Sequence, residues 1–212
     1  MAKIDQESIW SQRYRDAGED YLFGIAPSRF LEAHKQFLNT GATALSVADG
    51  EGRNSVWLAE QGLAVTALEI SPIAVEKARR LARGRGVDVN FVQADIIAMP
   101  WPADTYDLVV GIFIQFVGPE EREIQFARMK RAVKPGGLLL LHGYTPKQLE
   151  YRTGGPSAIE NLYTEDLLRE AFAGWEFLVL RQYEDELSEG AGHKGRSAVI
   201  DLVARNDTQA RD

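Results

Sequence analysis

The stretch from Ala44 to Asn54 constrains this chain more than any other. Leu45 and Val47 alternate as in a short apolar strand, Gly50 and Gly52 stand one residue apart, and Ser55-Val56-Trp57-Leu58-Ala59-Glu60 has helical apolar spacing. A strand that turns on glycine into a helix aims backbone N–H groups, and the positive end of the helix dipole, at whatever sits above the turn. Glycine also lets that ligand come close to the backbone. The next predicted strand, Ala64 to Glu69, ends in an acid about twenty residues past Gly50, the spacing at which a carboxylate accepts both hydroxyls of a ribose. Glu69 has a local reading too, as a cap for the helix that starts after Ser71. The two features in register imply a nucleoside-containing ligand.

From Thr43 onward strands and helices alternate. The first strand spans Thr43 to Ala48, and its helix runs from about Arg53 to Gln61, stopped by Gly62. Ser71-Pro72 reads as an N-cap followed by proline at the first helical position. The helix behind it extends to about Arg83, with Lys77, Arg79, Arg80 and Arg83 expected to face water and Gly84 and Gly86 ending it. A strand from Val87 to Gln93 precedes Ala94-Asp95, and the prolines of Met99 to Asp104 exclude a central strand there. Tyr106 to Gly111 is a strand, Pro119 opens a helix to about Val133, Lys134-Pro135-Gly136-Gly137 is a turn, and Leu138 to Gly143 is a strand apolar enough to be buried on both faces. Tyr144 to Leu162 is a long loop, of the kind that is often functional. A helix starts at Thr164, and Trp175 to Leu187 and Ser197 to Ala204 read as strands. Their link, Ser188 to Gly195, is too short for a crossover helix, so these two strands are antiparallel.

The pattern predicts an α/β fold with a doubly wound, mostly parallel seven-stranded sheet in the order 3-2-1-4-5-7-6, strand 7 antiparallel, and the ligand at the carboxyl ends of the strands. One domain is expected over residues 1–205, with a core at 43–204 and a frayed tail at 206–212. Before the alternation, a helix from about Asp5 to Ala17 carries Ile4, Trp10 and Tyr14, and an aromatic segment, Tyr21-Leu22-Phe23-Gly24, leads to Pro27. These aromatics have two readings. They pack in the core, or residues 1–40, which have no position in the sheet, form a helical lid over the ligand.

A chain of 212 residues suits one domain, and no apolar run reaches the roughly 18 residues of a membrane span. The polar, acidic N-terminus does not read as a secretory signal. The absence of cysteine excludes disulfides, thiolate metal sites and cysteine nucleophiles, and fits a cytoplasmic setting; no metal centre is expected. A net charge of −7 without basic clusters disfavours nucleic acid as a partner.

The glycine turn, Glu69 after the second strand, Ala94-Asp95 after the third and Lys-Pro-Gly-Gly before the fifth make the chain resemble the class I S-adenosylmethionine-dependent methyltransferases from Thr43 to Ala204. The resemblance implies S-adenosyl-L-methionine as cofactor and S-adenosyl-L-homocysteine as product. It also implies roles for individual residues. Backbone at Ala48, Asp49, Gly50 and Gly52, with Asn54 beside it, would cradle the methionine portion. Glu69 would hold the ribose, with Ile70 against the adenine; Asp95 would accept from the adenine amino group, with Ile96 adjacent; Gly111 and Phe113 would line the space near the sulfonium. Asp95 also has a simpler reading as a cap of its loop. Two departures stand out: Ala48 replaces the family's first glycine, and Ser46 stands where an acid is common, which leaves Asp49 or Glu51 to hold the cofactor's amino group.

Methyl transfer from a sulfonium brings its own leaving group, so a protein needs chiefly to align the nucleophile. Gly111-Ile112-Phe113-Ile114 stands where nucleic-acid amino-methylating members carry an Asn/Asp-Pro-Pro-Tyr-like motif, so a small-molecule substrate is expected. Topology places the loop of residues 188–195 on the active face. His193 is therefore the candidate base or anion-binding donor, and Arg196 the candidate for orienting an oxyanion. Tyr21, Phe23, Tyr151 and Arg152 are candidate substrate-pocket residues, while His34 and His142 read as structural. The Tyr21-Leu22-Phe23-Gly24…Pro27 segment, Gly50-Glu51-Gly52-Arg53-Asn54 and His193…Arg196 are also similar to bacterial tellurite-resistance-type and thiol methyltransferases, implying a thiol or a selenium or tellurium oxyanion as acceptor. The rival expectations are a non-catalytic protein that binds S-adenosylmethionine or S-adenosylhomocysteine, and an NAD-type oxidoreductase.

Overall fold

The computed structural model describes residues 5–190 and 192–207. Ile4 of the expected first helix, Ala191 of the expected active-face loop and residues 208–212 of the expected tail lie outside them. The seven strands are β1 (Thr43–Val47), β2 (Ala64–Glu69), β3 (Asn90–Gln93), β4 (Tyr106–Ile112), β5 (Val133–Tyr144), β6 (Glu176–Glu189) and β7 (His193–Arg205). They form one sheet in the order β3-β2-β1-β4-β5-β7-β6. β1 to β5 are parallel, and β7 runs antiparallel to both β5 and β6. This is the expected topology, with its switch point between β1 and β4, where a ligand crevice opens at the carboxyl ends.

Alternation along the central strands builds a three-layer core. Leu45, Val47, Val109, Leu139 and Leu141 face one side, where they meet α5 (Pro119–Ala132) and α7 (Glu165–Ala171) through Phe126, Met129 and Leu168. Ala44, Leu108, Val110 and Leu140 face the other, against Leu58 of α3 (Arg53–Glu60) and Phe30 and Leu31 of α2 (Arg29–Ala33). Residues one apart in a strand point to opposite faces, so both layers are written into the same apolar runs. Truncating a side chain as buried as Leu140 to alanine costs about 2–5 kcal/mol.

Several boundaries differ from the expectation. α4 (Pro72–Arg85) runs through Gly84 and ends on Gly86 in the left-handed conformation, with Ser71 capping its start through Ala74 N. Lys77 does not face water: it is 3% exposed, and its Nζ meets Glu51 Oε1 at 2.8 Å and the carbonyls of Tyr14 and Asp20. β3 starts at Asn90 rather than Val87, and β5 begins at Val133, ahead of its Gly136-Gly137 kink. The long connection after β5 holds α6 (Gln148–Tyr151) and a 3-10 turn, Ile159–Asn161. Asn206 is not frayed. Its backbone exchanges hydrogen bonds with Gly136 and Gly137, and its Nδ2 donates to the carbonyls of Val133 and Lys134. Among the described residues no helix is long and apolar enough to cross a membrane.

The amino-terminal segment, with α1 (Gln6–Asp16), lies across the strand ends and is tied down by side chains of the glycine turn. Leu22 N donates to Glu51 Oε2 at 2.7 Å, and Ser28 N donates to Asn54 Oδ1 at 2.9 Å. Arg53 pairs with Glu189 at 2.7 Å, both side chains buried, and Glu189 also accepts from Arg29 N and Ser28 Oγ. Gly192 N donates to Leu22 O, and Gly190 and Gly192 sit where a Cβ would run into Phe23 and Gly24. Only glycine lets the β6–β7 hairpin tip approach that closely.

Candidate active site

Three residues in the left-handed region shape the turn after β1: Ala48 (φ 50), Gly50 (φ 63) and Gly52 (φ 91). Ala48 holds a conformation that costs an L-residue roughly 1–2 kcal/mol, the physical reason a glycine suits this position. A Cβ at Gly52 would stand 2.7 Å from the Ala78 Cβ, so this glycine serves the close approach of α3 to α4. Asp49 secures the turn from within. Its Oδ1 accepts from Ser46 Oγ at 2.6 Å and from Ser55 N at 3.2 Å, and its Oδ2 accepts from Ser55 Oγ. Burial raises its pKa above the ordinary aspartate value.

Glu69 joins the turn to the next helix. Its Oε2 accepts from Gly50 N and its Oε1 from Ser71 N, both at 2.8 Å. It holds the backbone of Ser71, whose own side chain caps α4, and it also faces the cavity above the turn. Burial pushes its pKa up to about 7, against the pull of those backbone N–H groups. Asp95 Oδ1 likewise accepts from Ile97 N at 2.8 Å and Ala98 N at 3.2 Å, capping its loop while lining the same cavity.

That cavity, about 1210 Å³, opens at the carboxyl ends of the strands. Of the residues singled out in the sequence, it brings together Ala48, Asp49, Gly50, Asn54, Glu69, Ile70, Asp95, Ile96, Phe113, Phe23 and His193. Gly111 and Gly52 lie beneath the wall; a Cβ on Gly111 would meet Ile114 Cδ1 at 2.6 Å. Phe113 holds φ 55, and its ring lies against His142 and His193, with centroids 4.7 Å and 4.1 Å away. His142 is buried and bound through Nδ1 to Asp201 Oδ1 at 2.8 Å, and His34 Nδ1 meets Phe30 O, which are structural roles.

His193 reaches the cavity, clamped between Phe23 and Phe113, 9% exposed, with Nδ1 lacking a hydrogen-bond partner among the described residues. Burial, aided by the nearby Arg53 cation, drops its pKa to about 3. The ring is neutral at neutral pH and does not act as a cationic anion donor. Arg196 is not in the cavity. β7 begins at His193, and residues an odd number apart in a strand project to opposite faces. Arg196 instead pairs with Glu184 at 2.6 Å and covers the Tyr151 ring. Tyr151 donates to Glu184 as well, and Arg152 is exposed. Tyr21 packs beside Val56 and Leu81, its hydroxyl donating to Lys77 O. Glu51 is spent on Lys77 and Leu22 N, which leaves Asp49 as the acid of the turn on the cavity.

The reading of the sequence passed over Phe116, Glu120, Glu121 and Asn161, which also line the cavity. Phe116, Glu120 and Glu121 lie in the connection and first helical turn after β4, and Asn161 in the long connection after β5. The rule that ligands sit beyond the carboxyl ends of such strands was the signal that could have found them.

Residues 44–137 match the family model described as a methyltransferase domain. The demethylmenaquinone methyltransferase of Thermus thermophilus is 32% identical over 136 residues, which cover 63% of this chain and 55% of that protein. The malonyl-[acyl-carrier protein] O-methyltransferase of Salmonella typhimurium is 29% identical over 229 residues, 97% of this chain and 88% of that one. A SAM-dependent methyltransferase from Methanosarcina mazei has the same fold, with a TM-score of 0.69 at 19% identity over 84% of this chain and 98% of that chain. The chain spans about half the length of the first curated relatives it matches, 55% and 49%. The two named curated relatives have unlike acceptors, and the narrower resemblance to the tellurite-resistance type finds no support among them. Residues 44–137 thus match a methyltransferase domain, and the sheet order with its closing antiparallel hairpin, with the turn and acids gathered on one cavity, resembles that of the class I S-adenosylmethionine-dependent methyltransferases.

Proposed function

We propose that this chain transfers a methyl group from S-adenosylmethionine to a small-molecule nucleophile, releasing S-adenosylhomocysteine. The observation that carries the reading is the gathering of Gly50, Glu69, Asp95 and Phe113 on one cavity of about 1210 Å³. That exceeds the roughly 300–1,000 Å³ of a pocket for one small ligand, which leaves room for an acceptor beside a cofactor. The residues present fit the cofactor. A Cβ on Gly50 would stand 2.9 Å from the Tyr14 hydroxyl, so glycine at this position admits the close approach of Tyr14 to the turn that lines the cavity. Glu69, oriented by two backbone N–H groups, has acceptor capacity left for a ribose diol, and the acidic, aromatic wall suits a sulfonium.

When bound, S-adenosylmethionine supplies an electrophilic methyl and its own leaving group. The chain's residues do the rest. The turn backbone would cradle the methionine portion, Glu69 would hold the ribose, Ile70 and Ile96 would flank the adenine and Asp95 would meet its amino group. Phe113 and Phe23 exclude water from the reacting end, and the neutral His193 ring bounds the acceptor side. Asp5, Glu7, Glu120 and Glu121 stand around the opening, and Arg53, the cation on the wall, is already paired with Glu189. A selenium or tellurium oxyanion meets an unfavourable field there, whereas an uncharged thiol does not.

The test is calorimetric titration with S-adenosylmethionine, S-adenosylhomocysteine and NAD, followed by a screen of acceptors for S-adenosylhomocysteine formation. Micromolar binding of both adenosyl compounds with turnover of an acceptor supports the reading. Binding without turnover of any acceptor favours the non-catalytic binding protein. Binding of NAD alone overturns the assignment of the turn.

A further inference from the structure

One residue of α1 reaches the glycine turn. Ser11 and Tyr14, three residues apart, share the buried face of the helix. Ser11 Oγ lies 2.8 Å from Ser71 Oγ, and the Tyr14 carbonyl accepts from Lys77 Nζ at 3.0 Å, so this face of α1 is fixed to the start and middle of α4. Tyr14 is 3% exposed; its ring stacks on Trp10 and meets Phe23 edge-on, and its hydroxyl abuts Gly50. The residue lines the cavity, and its hydroxyl makes no hydrogen bond among the described residues. Tyr144 and Tyr163 have unpartnered hydroxyls too, but those are sealed from solvent, whereas the Tyr14 hydroxyl keeps accessible surface. Burial, and then the carboxylates of Glu69 and Glu51, hold its pKa well above the ordinary tyrosine value, so it keeps its proton to donate. Asn54, buried on the same cavity, carries a second uncommitted donor. Its Oδ1 is taken by Ser28 N at 2.9 Å, which fixes the orientation of the amide and leaves Nδ2 without a hydrogen bond among the described residues.

Resting on the methyltransferase reading above, we propose that Tyr14 is a cofactor-binding residue whose hydroxyl, together with Asn54 Nδ2, donates to the carboxylate of the methionine portion of S-adenosylmethionine. Position selects the portion: the hydroxyl sits against the turn whose backbone cradles it. Charge selects the group. Asp49 and Glu69 on the same cavity attract the cofactor's ammonium and repel its carboxylate. A carboxylate drawn into a buried site needs donors, and Arg53, the cation on the wall, is already paired with Glu189. An O–H and an amide N–H that bond to nothing else meet that need without breaking a hydrogen bond of the protein, and bonds to an ionised acceptor are the strong ones. The cofactor site therefore extends beyond the strand, turn and helix of the sheet and takes in α1.

The experiment is calorimetric titration of wild type, Tyr14→Phe and Asn54→Asp with two compounds: S-adenosylhomocysteine, and the same thioether lacking only its carboxylate. Tyr14→Phe removes a hydroxyl that bonds to nothing in the protein, so its urea midpoint should match wild type. We expect it to bind S-adenosylhomocysteine about tenfold more weakly, the loss of one hydrogen bond to a charged group, and to bind the decarboxylated thioether as wild type does. Asn54→Asp keeps an acceptor for Ser28 N and puts a negative oxygen where the free donor stood. It should lose about tenfold or more in affinity for S-adenosylhomocysteine and none for the decarboxylated, cationic thioether. Unchanged affinity of either variant for S-adenosylhomocysteine, or equal losses for the two compounds, overturns the assignment and leaves the methyltransferase reading standing. A lowered urea midpoint in Tyr14→Phe gives the hydroxyl a structural role and also overturns it. Failure of the wild type to bind either compound overturns the assignment and the methyltransferase reading together.

Discussion

Lowering the pH from 8 to 6 should loosen cofactor binding by an amount set by one side chain. Glu69 is 5% exposed, and its burial lifts its pKa from 4.5 to about 7. A ribose diol donates to the carboxylate and not to the acid, so the ligand selects the ionised form. A group with pKa near 7 that must be charged to bind makes affinity about tenfold weaker at pH 6 than at pH 8, about 1.4 kcal/mol. The assay is titration with S-adenosylhomocysteine at pH 6, 7 and 8, in two buffers of different ionisation enthalpy to count the proton released. His193, at about 3, stays neutral across that range and does not contribute. Glu69 also bears on folding. Its folded value lies above the unfolded one, so its contribution to stability is whole below about pH 4.5 and is lost as the pH rises to about 7. Affinity that stays flat from pH 6 to 8, or a Glu69→Gln variant that keeps the wild-type pH dependence, would refute this account.

Three more outcomes are expected. Ala48→Gly relieves a left-handed alanine and should stabilise the protein by about 0.5–1 kcal/mol after the entropy cost of glycine, read from urea midpoints at unchanged slope. Arg53→Met leaves Glu189 buried without its partner and should cost about 3–5 kcal/mol, much of it recovered in Arg53→Met, Glu189→Leu; equal losses in both variants would deny the pair its role. His193→Phe should reduce the acid sensitivity of folding. The wild-type histidine has a folded pKa of about 3 against an ordinary 6.5, so its contribution is whole above pH 6.5 and is lost as the pH falls toward 3. Urea melts at pH 7 and pH 4 give the comparison.

The sheet was legible because its signals are local and repeated. Alternating apolar runs set both core layers, and the shortness of the link before His193 forced β7 to run antiparallel. The cavity floor was legible for the same reason, since Gly50, Glu69 and Asp95 each stand at or within three residues of the carboxyl end of a strand. What stayed hidden depended on partners distant in the chain. Lys77 sits in a run of cations on α4, and nothing near it in sequence announces Glu51 and two carbonyls of the amino-terminal segment. Glu51 and Asn54 looked available for a ligand because their partners, Leu22 N and Ser28 N, lie 29 and 26 residues away. Arg196 was misplaced by treating residues 193–195, just before it, as loop. Once they form a strand, the pleat sends His193 inward and Arg196 to Glu184.

The ties between the glycine turn and the amino-terminal segment give the molecule a remote reporter. The Leu22 and Ser28 amides are bonded to side chains of the turn and not to the sheet, so each can exchange with solvent only when the turn itself lets go. Opening there is one cooperative event shared by residues far apart in the chain. A compound gripped by the turn backbone stabilises the closed form by mass action, and deuterium uptake at residues 22 and 28 slows although neither amide touches the compound. Those two amides read the occupancy of the turn from outside the cavity.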